Sequence, residues 1–206
     1  MWPTEQNRAA WEQRFAPGKT SARLPDAVRE RLDDVAGKHV MHMPAASGEV
    51  TAELIALGAL VTGIDPSEEM LAVAREQVPE AAFFQAELHD IPLQLRRRRF
   101  TFVVAGEGTL ALVPDLDAWL STVVAALRKG GQLILCDRHP VVQCIEPVGL
   151  RWRENYFEGR QAADVINAVA RSELRLDEVA ELPPPSKEYG DPRIPFELLV
   201  RGTKTS

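Results

Sequence analysis

Short apolar runs alternate with stretches of helical period along most of this chain. A short apolar run bounded by turn residues reads as a strand, and apolar residues recurring every three or four positions read as one face of a helix. The pattern predicts a first helix over Glu5–Phe15, stopped by Ala16-Pro17-Gly18-Lys19. Leu24, Val28, Leu32 and Val35 share one face of a second helix, closed by Gly37. Val40–Met43 is the first strand. Gly48–Leu57 is a helix with Val50, Leu54 and Leu57 on one face, and Ala59–Ile64, ending at Asp65, is the second strand. Leu71, Ala74 and Val78 mark the next helix, with Glu68 and Glu69 in its first turn, where free N–H groups favour carboxylates. Ala81–Gln85 and Phe100–Val104 are the third and fourth strands. Leu116, Trp119, Leu120, Val123, Val124 and Leu127 lie on a helix expected to end at Gly130-Gly131. Gln132–Cys136 is the fifth strand. A helix over about Gln161–Leu174 follows, then the strands Glu178–Ala180 and Phe196–Val200, separated by the proline-rich stretch Leu182–Pro195.

Successive strand–helix units imply a parallel sheet with helices on both faces. The last two strands have no helix between them and read as an antiparallel edge hairpin. The expectation is an α/β fold: a doubly wound, mostly parallel seven-stranded sheet with an antiparallel last strand and N-terminal helices. Residues 1–36 would form a helical cap and residues 37–206 the α/β domain.

Composition narrows the function. The 206 residues suit one domain, and 24 basic against 30 acidic residues give a formal net charge of −6. An acidic chain is a poor general nucleic-acid binder. The run Arg96–Arg99 lacks interleaved aromatics and reads as a solvated loop. Two cysteines exclude a disulfide framework and a cysteine-rich zinc module. Cys136 and Cys144 read as buried, inert thiols. No apolar run approaches the roughly 20 residues of a membrane span, and Met1–Gln6 has no basic-then-apolar signal pattern. These features point to a reducing, cytoplasmic setting. His39 and His42 point to opposite faces of a strand, so no shared metal is expected.

In an open parallel sheet a ligand sits beyond the carboxyl ends of the strands, where strand order reverses. Here that crevice is framed by the loop Pro44-Ala45-Ala46-Ser47-Gly48 and by Asp65. An acid at the end of the second strand can accept hydrogen bonds from ribose hydroxyls. Asp65-Pro66-Ser67 also reads as a plain helix start.

The stretch from Gly37 to Val142 resembles the class I S-adenosylmethionine-dependent methyltransferases of the small-molecule type, whose Rossmann-like fold matches the one expected. Thr62-Gly63-Ile64-Asp65-Pro66-Ser67-Glu68-Glu69-Met70-Leu71 is similar to the family's second motif. The resemblance implies that Asp65 binds the ribose and that Pro66 and Met70 pack near the adenine. Glu87 and Leu88 match positions that contact the adenine edge, with Glu where Asp is usual. Gly106-Glu107-Gly108 and Leu112-Val113-Pro114-Asp115 resemble the family's loop after the fourth strand, and Leu127-Arg128-Lys129-Gly130-Gly131 resembles the family's Leu-Lys-Pro-Gly-Gly turn with Lys129 in place of proline. Asn7-Arg8-Ala9-Ala10-Trp11 resembles the N-terminal cap segment. The implied cofactor is S-adenosylmethionine and the implied partner a small-molecule acceptor.

The first motif departs from the family. Where an acid and then Gly-x-Gly-x-Gly stand, this chain has His42, then Pro44, Ala46 and Gly48, with Ala45 between. Pro44 has no N–H to donate, Ala46 adds a Cβ, and a neutral His42 brings no negative charge. Two rival readings follow: a non-catalytic module of the same fold, or a nicotinamide-dependent oxidoreductase, which would need a Gly-x-Gly-x-x-Gly that residues 44–48 do not supply. Methyl transfer from a sulfonium needs little beyond positioning, worth about 7–11 kcal/mol, so no elaborate catalytic signature is expected. His139, just past the fifth strand, is a candidate base or substrate contact, though it also reads as a turn residue before Pro140; Glu107 is a candidate contact to the acceptor. His89 beside Asp90 reads as a solvated pair. Trp11, Phe15, Trp152, Tyr156 and Phe157 are candidates for an aromatic wall or for packing under the cap.

Overall fold

The computed structural model describes residues 23–97, 99–146, 151–184 and 191–206. In chain order its elements are α1 (Asp26–Arg29), β1 (His39–Met43), α2 (Glu49–Ala56), β2 (Leu60–Asp65), α3 (Glu68–Gln77), β3 (Ala82–Gln85), β4 (Phe100–Ala105), α4 (Thr109–Leu112), α5 (Leu116–Ala126), β5 (Leu127–Arg138), α6 (Pro140–Gln143), α7 (Ala162–Arg171), β6 (Leu174–Leu182) and β7 (Glu197–Lys204). The strands form one sheet in the order β3-β2-β1-β4-β5-β7-β6. Strands β1 to β5 pair in parallel, and β7 runs antiparallel to both β5 and β6. This is the doubly wound sheet the sequence pattern predicts. Strand order reverses between β1 and β4, which places the crevice at their carboxyl ends. The expected helix Glu5–Phe15, with Trp11 and Phe15, lies outside the described residues, as does Arg98 of the arginine run.

The apolar runs are nearly continuous because both faces of the sheet are covered. Val40 packs in one cluster with Leu54 of α2, Val61, Phe102 and Ile134. Its neighbours Met41 and Met43 point the other way, into a larger cluster with Trp119, Leu120 and Val123 of α5. Trp119 finds a partner for its indole N–H in the Met43 sulfur, 3.4 Å away. The same alternation sends His42 to the α2 face. At the far end of the sheet, buried Lys204 of β7 donates from Nζ to the carbonyls of Val124 (2.6 Å) and Leu127 (3.1 Å), closing the end of α5.

Three elements differ from the sequence pattern. The second helix shrinks to the single turn α1. Asp34 Oδ1 accepts the Ala36 N–H at 3.1 Å, a local bond that competes with helix. Leu24, Val28 and Val35 are nonetheless buried in the α2-side cluster. Second, Gly130-Gly131 does not end a helix. The helix stops at Ala126, and β5 begins at once: Leu127 pairs with Phe100 and Gln132 with Phe102, so Arg128–Gly131 bulge out of the strand. Gly130 has φ +72°, and a Cβ on Gly131 would meet the Phe100 and Arg128 carbonyls at 2.9 Å. Third, helix α7 ends at Arg171 and β6 begins at Leu174. The extra residues of β6 include Arg175, Asp177 and Glu181, charges that suit an edge strand and hide it from an apolar-run search.

Gly63 of β2 allows β3 to close against the loop after β1. A Cβ there would stand 2.5 Å from the Phe83 ring and 3.0 Å from the Ala45 methyl. Gly63→Ala is expected to destabilise the protein by about 1–3 kcal/mol through overpacking, measured as a lower urea midpoint with unchanged slope. An unaltered midpoint would mean that Phe83 moves aside freely.

Candidate functional site

The loop after β1 is built around one carboxylate. The Met43–Pro44 peptide bond is cis. Ala45 N donates to the Ile64 carbonyl at 2.8 Å, tying the loop to β2. Ala46 takes φ +47°, a conformation that costs an L-residue roughly 1–2 kcal/mol, and its N–H donates to Asp65 Oδ2 at 2.8 Å. The other oxygen, Oδ1, accepts the Ser67 N–H at 2.9 Å. Asp65 is 0% exposed and joins the first motif, the end of β2 and the start of α3. Gly48 caps α2 with φ +98°, and a Cβ there would press on Val78 and Ala74 at 3.1 and 3.2 Å.

His42, where the family has an acid, is 3% exposed. Its Nδ1 lies 2.9 Å from Thr51 Oγ1 of α2. Burial lowers its pKa to about 4, so the imidazole is neutral at pH 7. The ring's Nε2 faces Gly106 at the end of β4, 3.8 Å from where a Cβ on that glycine would stand.

Between these elements is a cavity of about 110 Å³. The loop after β1 contributes Pro44, Ala45 and Ala46, and the turn after β4 contributes Gly106 and Glu107. His42 and Cys136 line it from the sheet, with Glu49 and Val50 from α2. Leu24, Pro25 and Val28 close it from the α1 side, and Glu197 at the start of β7 completes it. Glu107 pairs with Arg138, whose Nε donates to Oε1 at 2.9 Å, and the Arg138 guanidinium stacks on Phe196, 3.9 Å from its centroid. Ser47 Oγ bonds Glu49 at 2.8 and 2.9 Å. The turn bearing Glu107 is held from below by Asp137. That buried carboxylate accepts the N–H groups of Gly108 (2.9 Å), Leu110 (2.7 Å) and Arg138 (2.6 Å). Burial nevertheless pushes its pKa up to about 6, against these bonds.

The structure therefore brings His42, Pro44, Ala45, Ala46, Gly106 and Glu107 together around one cavity. Asp65 stands behind this group, bonded to Ala46. Pro66 is buried, and Met70 and Leu88 lie within the α5-side core. Glu87 is half-exposed. His139 does not face the cavity: its Nδ1 accepts the Val141 N–H at 3.2 Å as the cap of α6, and its Nε2 lies 3.0 Å from Glu181 Oε1. Burial lowers its pKa, with Glu181 opposing. Trp152 and Phe157 are 66% and 77% exposed. Cys136 and Cys144 are both buried free thiols.

A protein-family model described as "methyltransferase domain" matches residues 40–131. Those residues contain both loops that frame the cavity, and Asp65. Residues 40–131 match a methyltransferase domain. An uncharacterized methyltransferase of Synechocystis sp. is 30% identical to this chain over 111 residues, 53% of this chain and 51% of that protein. A demethylmenaquinone methyltransferase of Listeria welshimeri is 40% identical over 80 residues, 37% of this chain and 34% of that one. The chain thus spans about half the length, or less, of these curated relatives. An S-adenosylmethionine-dependent methyltransferase from Mesorhizobium loti shares the fold, with a TM-score of 0.72 at 23% identity over 86% of this chain and 96% of that one.

The donor set of the methyltransferase domain suits the cationic end of S-adenosylmethionine. The carboxylates of Glu49 and Glu107 and a neutral imidazole line the cavity. A cavity of about 110 Å³ accepts part of such a molecule, since pockets for whole ligands of that size run to about 300–1,000 Å³. Sequence reading missed four residues of this site. Thr51, Glu49 and Asp137 are polar positions on otherwise ordinary helix or strand ends. Glu197 is remote in sequence; its one signal is a charge opening an apolar strand after Pro195-Phe196.

Proposed function

We propose that this protein transfers the methyl group of S-adenosylmethionine to a small-molecule acceptor in the cytoplasm. The observation that carries the reading is the position of the cavity. It lies at the carboxyl ends of β1 and β4, where strand order reverses, and is walled by loops inside the matched methyltransferase domain. The relative from Listeria welshimeri is by name a demethylmenaquinone methyltransferase, and buried free thiols suit a reducing compartment.

When bound, the cofactor supplies a methyl on a sulfonium, whose departure leaves a neutral thioether. In this reading His42, Pro44, Ala45, Ala46 and Gly48 hold its amino-acid end, and Asp65 takes the ribose. Pro66, Met70, Glu87 and Leu88 border the adenine, and Gly106 lets the turn after β4 come close. Because Asp65 is fully covered, the ribose reaches it only after the cover over β2 shifts. The chain's own contribution to rate is then positioning and exclusion of water, which together can lower a barrier by about 7–11 kcal/mol.

Calorimetry decides the matter. S-adenosylhomocysteine is expected to bind the purified protein with micromolar affinity, about 8 kcal/mol of binding free energy, while reduced nicotinamide cofactor is expected not to bind. Absence of heat at about millimolar S-adenosylhomocysteine, below roughly 4 kcal/mol, would overturn the reading.

A further inference from the structure

The geometry points to Glu197 as the acceptor-binding carboxylate of this site, and to an amine on a small apolar body as the acceptor. The inference rests on the methyltransferase reading above and names its substrate class.

Glu197 reaches the site by topology alone. It is the first residue of β7 and stands opposite Arg138 in the antiparallel pairing of β7 with β5. It therefore enters at the end of the sheet where β1 and β4 finish, and shares the cavity with Pro44, Ala45 and Ala46. The three carboxylates of the cavity are not equivalent. Glu49 is engaged by Ser47 and Glu107 by Arg138. Glu197 is half-buried and makes no ion pair among the described residues; the Cys136 thiol donates to it, and Arg138 acts on it only at a distance. Removal from water raises its pKa, with Arg138 opposing and Glu107 adding to the rise, which favours uptake of a proton from a neighbour.

A second observation is independent of the acids. His42 is buried, its Nδ1 is used by Thr51, and its Nε2 has no hydrogen-bond partner among the described residues although the ring lines the cavity. A ring kept neutral by burial does not repel a cation bound beside it. The remaining wall, Leu24, Pro25, Val28 and Val50, is apolar. A carboxylate, a neutral imidazole and an aliphatic wall match a protonated amine with a small hydrocarbon body. They oppose a phosphate or carboxylate, which would be placed beside like charge. Arg23 and Arg138 are the cations nearby, and Arg138 is committed to Glu107 and Phe196.

Glu197 removes the proton from the bound ammonium, exposing the nitrogen lone pair. That pair forms the new N–C bond as the methyl–sulfur bond breaks, its electrons staying on sulfur, and the methylated ammonium product carries the charge away.

The test uses the full chain saturated with S-adenosylhomocysteine and titrated with butylamine, butanol and butyrate by calorimetry. Butylamine is expected to bind and butyrate not to. Glu197→Gln should weaken butylamine at least about tenfold, as loss of a charged hydrogen bond does, with S-adenosylhomocysteine binding unchanged. Glu197→Asp, which keeps the charge, should retain more affinity than the glutamine variant, and thermal melts check that both are folded. Butyrate or butanol binding as tightly as butylamine, or butylamine affinity unaltered in Glu197→Gln, would overturn the acceptor class while leaving the methyltransferase reading intact. A parent protein that binds no S-adenosylhomocysteine would overturn both.

Discussion

Asp65→Asn is expected to cost the fold about 2–4 kcal/mol and to weaken S-adenosylhomocysteine binding at least about tenfold. The carboxylate accepts two buried backbone N–H groups, from Ala46 and Ser67. An asparagine supplies one acceptor oxygen and turns its NH₂ toward the other N–H. One donor pair is left facing in a buried site, and charge-assisted bonds become neutral ones. The Ala46 backbone, at φ +47°, loses the bond that holds it there. Urea unfolding reads the stability change, and calorimetry under conditions where the variant is folded reads the affinity. A loss under about 1 kcal/mol would mean that the loop after β1 does not depend on this carboxylate. Unchanged S-adenosylhomocysteine affinity would remove Asp65 from the ribose.

The second large effect is in the pH dependence. His42 has its pKa lowered from 6.5 to about 4 by burial. An unfolded chain takes up this proton as pH falls through 6.5 while the folded one resists until about 4. The neutral histidine therefore contributes stability that is present above pH 6.5 and lost toward pH 4, about 3 kcal/mol in all at about 1.4 kcal/mol per pH unit. Asp137 runs the other way. Its pKa is raised from 3.8 to about 6, so the fold favours its protonated form. Its contribution is present below pH 3.8 and lost as pH rises to about 6, again about 3 kcal/mol. In the parent the two slopes nearly cancel. Asp137→Asn cannot ionise, and its stability should climb relative to the parent by about 3 kcal/mol between pH 4 and pH 6. Parallel stability curves from urea titrations across that range would show that Asp137 ionises in the fold as it does in the unfolded chain.

The inner strands of the parallel half were legible because both faces are covered and each carries a mostly apolar run, as in Val40–Met43 and Phe100–Val104. The bulge in β5 was not, since a Gly-Gly pair has the same appearance whether it stops a helix or lets a strand bow out past the Phe100 carbonyl. The edge strand β6 was read short because charged residues interrupt its apolar run, with Arg175 and Glu181 facing solvent. In the site, the loop 44–48 and its relation to Asp65 followed from spacing: both stand at the ends of adjacent parallel strands. His139 lies as near the crevice in sequence terms as Glu107 does, but a turn of backbone gives its ring to α6 and β6. Nothing local to the chain distinguishes the two. Glu197 was out of reach altogether, because its place depends on an antiparallel strand inserted between β5 and β6.

That insertion has a consequence for how the molecule is made. Strand β6 leaves the ribosome before β7 but touches the sheet only through it. Until Glu197–Lys204 emerges, the nascent chain exposes the open rim of β5, and the lysine that later closes α5 is missing. The parallel half can assemble co-translationally, whereas β6 must wait for its successor. The acid at Glu197 arrives in that same last step, so cavity completion and sealing of the sheet coincide, and a nascent intermediate that stalls before it is vulnerable to strand exchange with a neighbour.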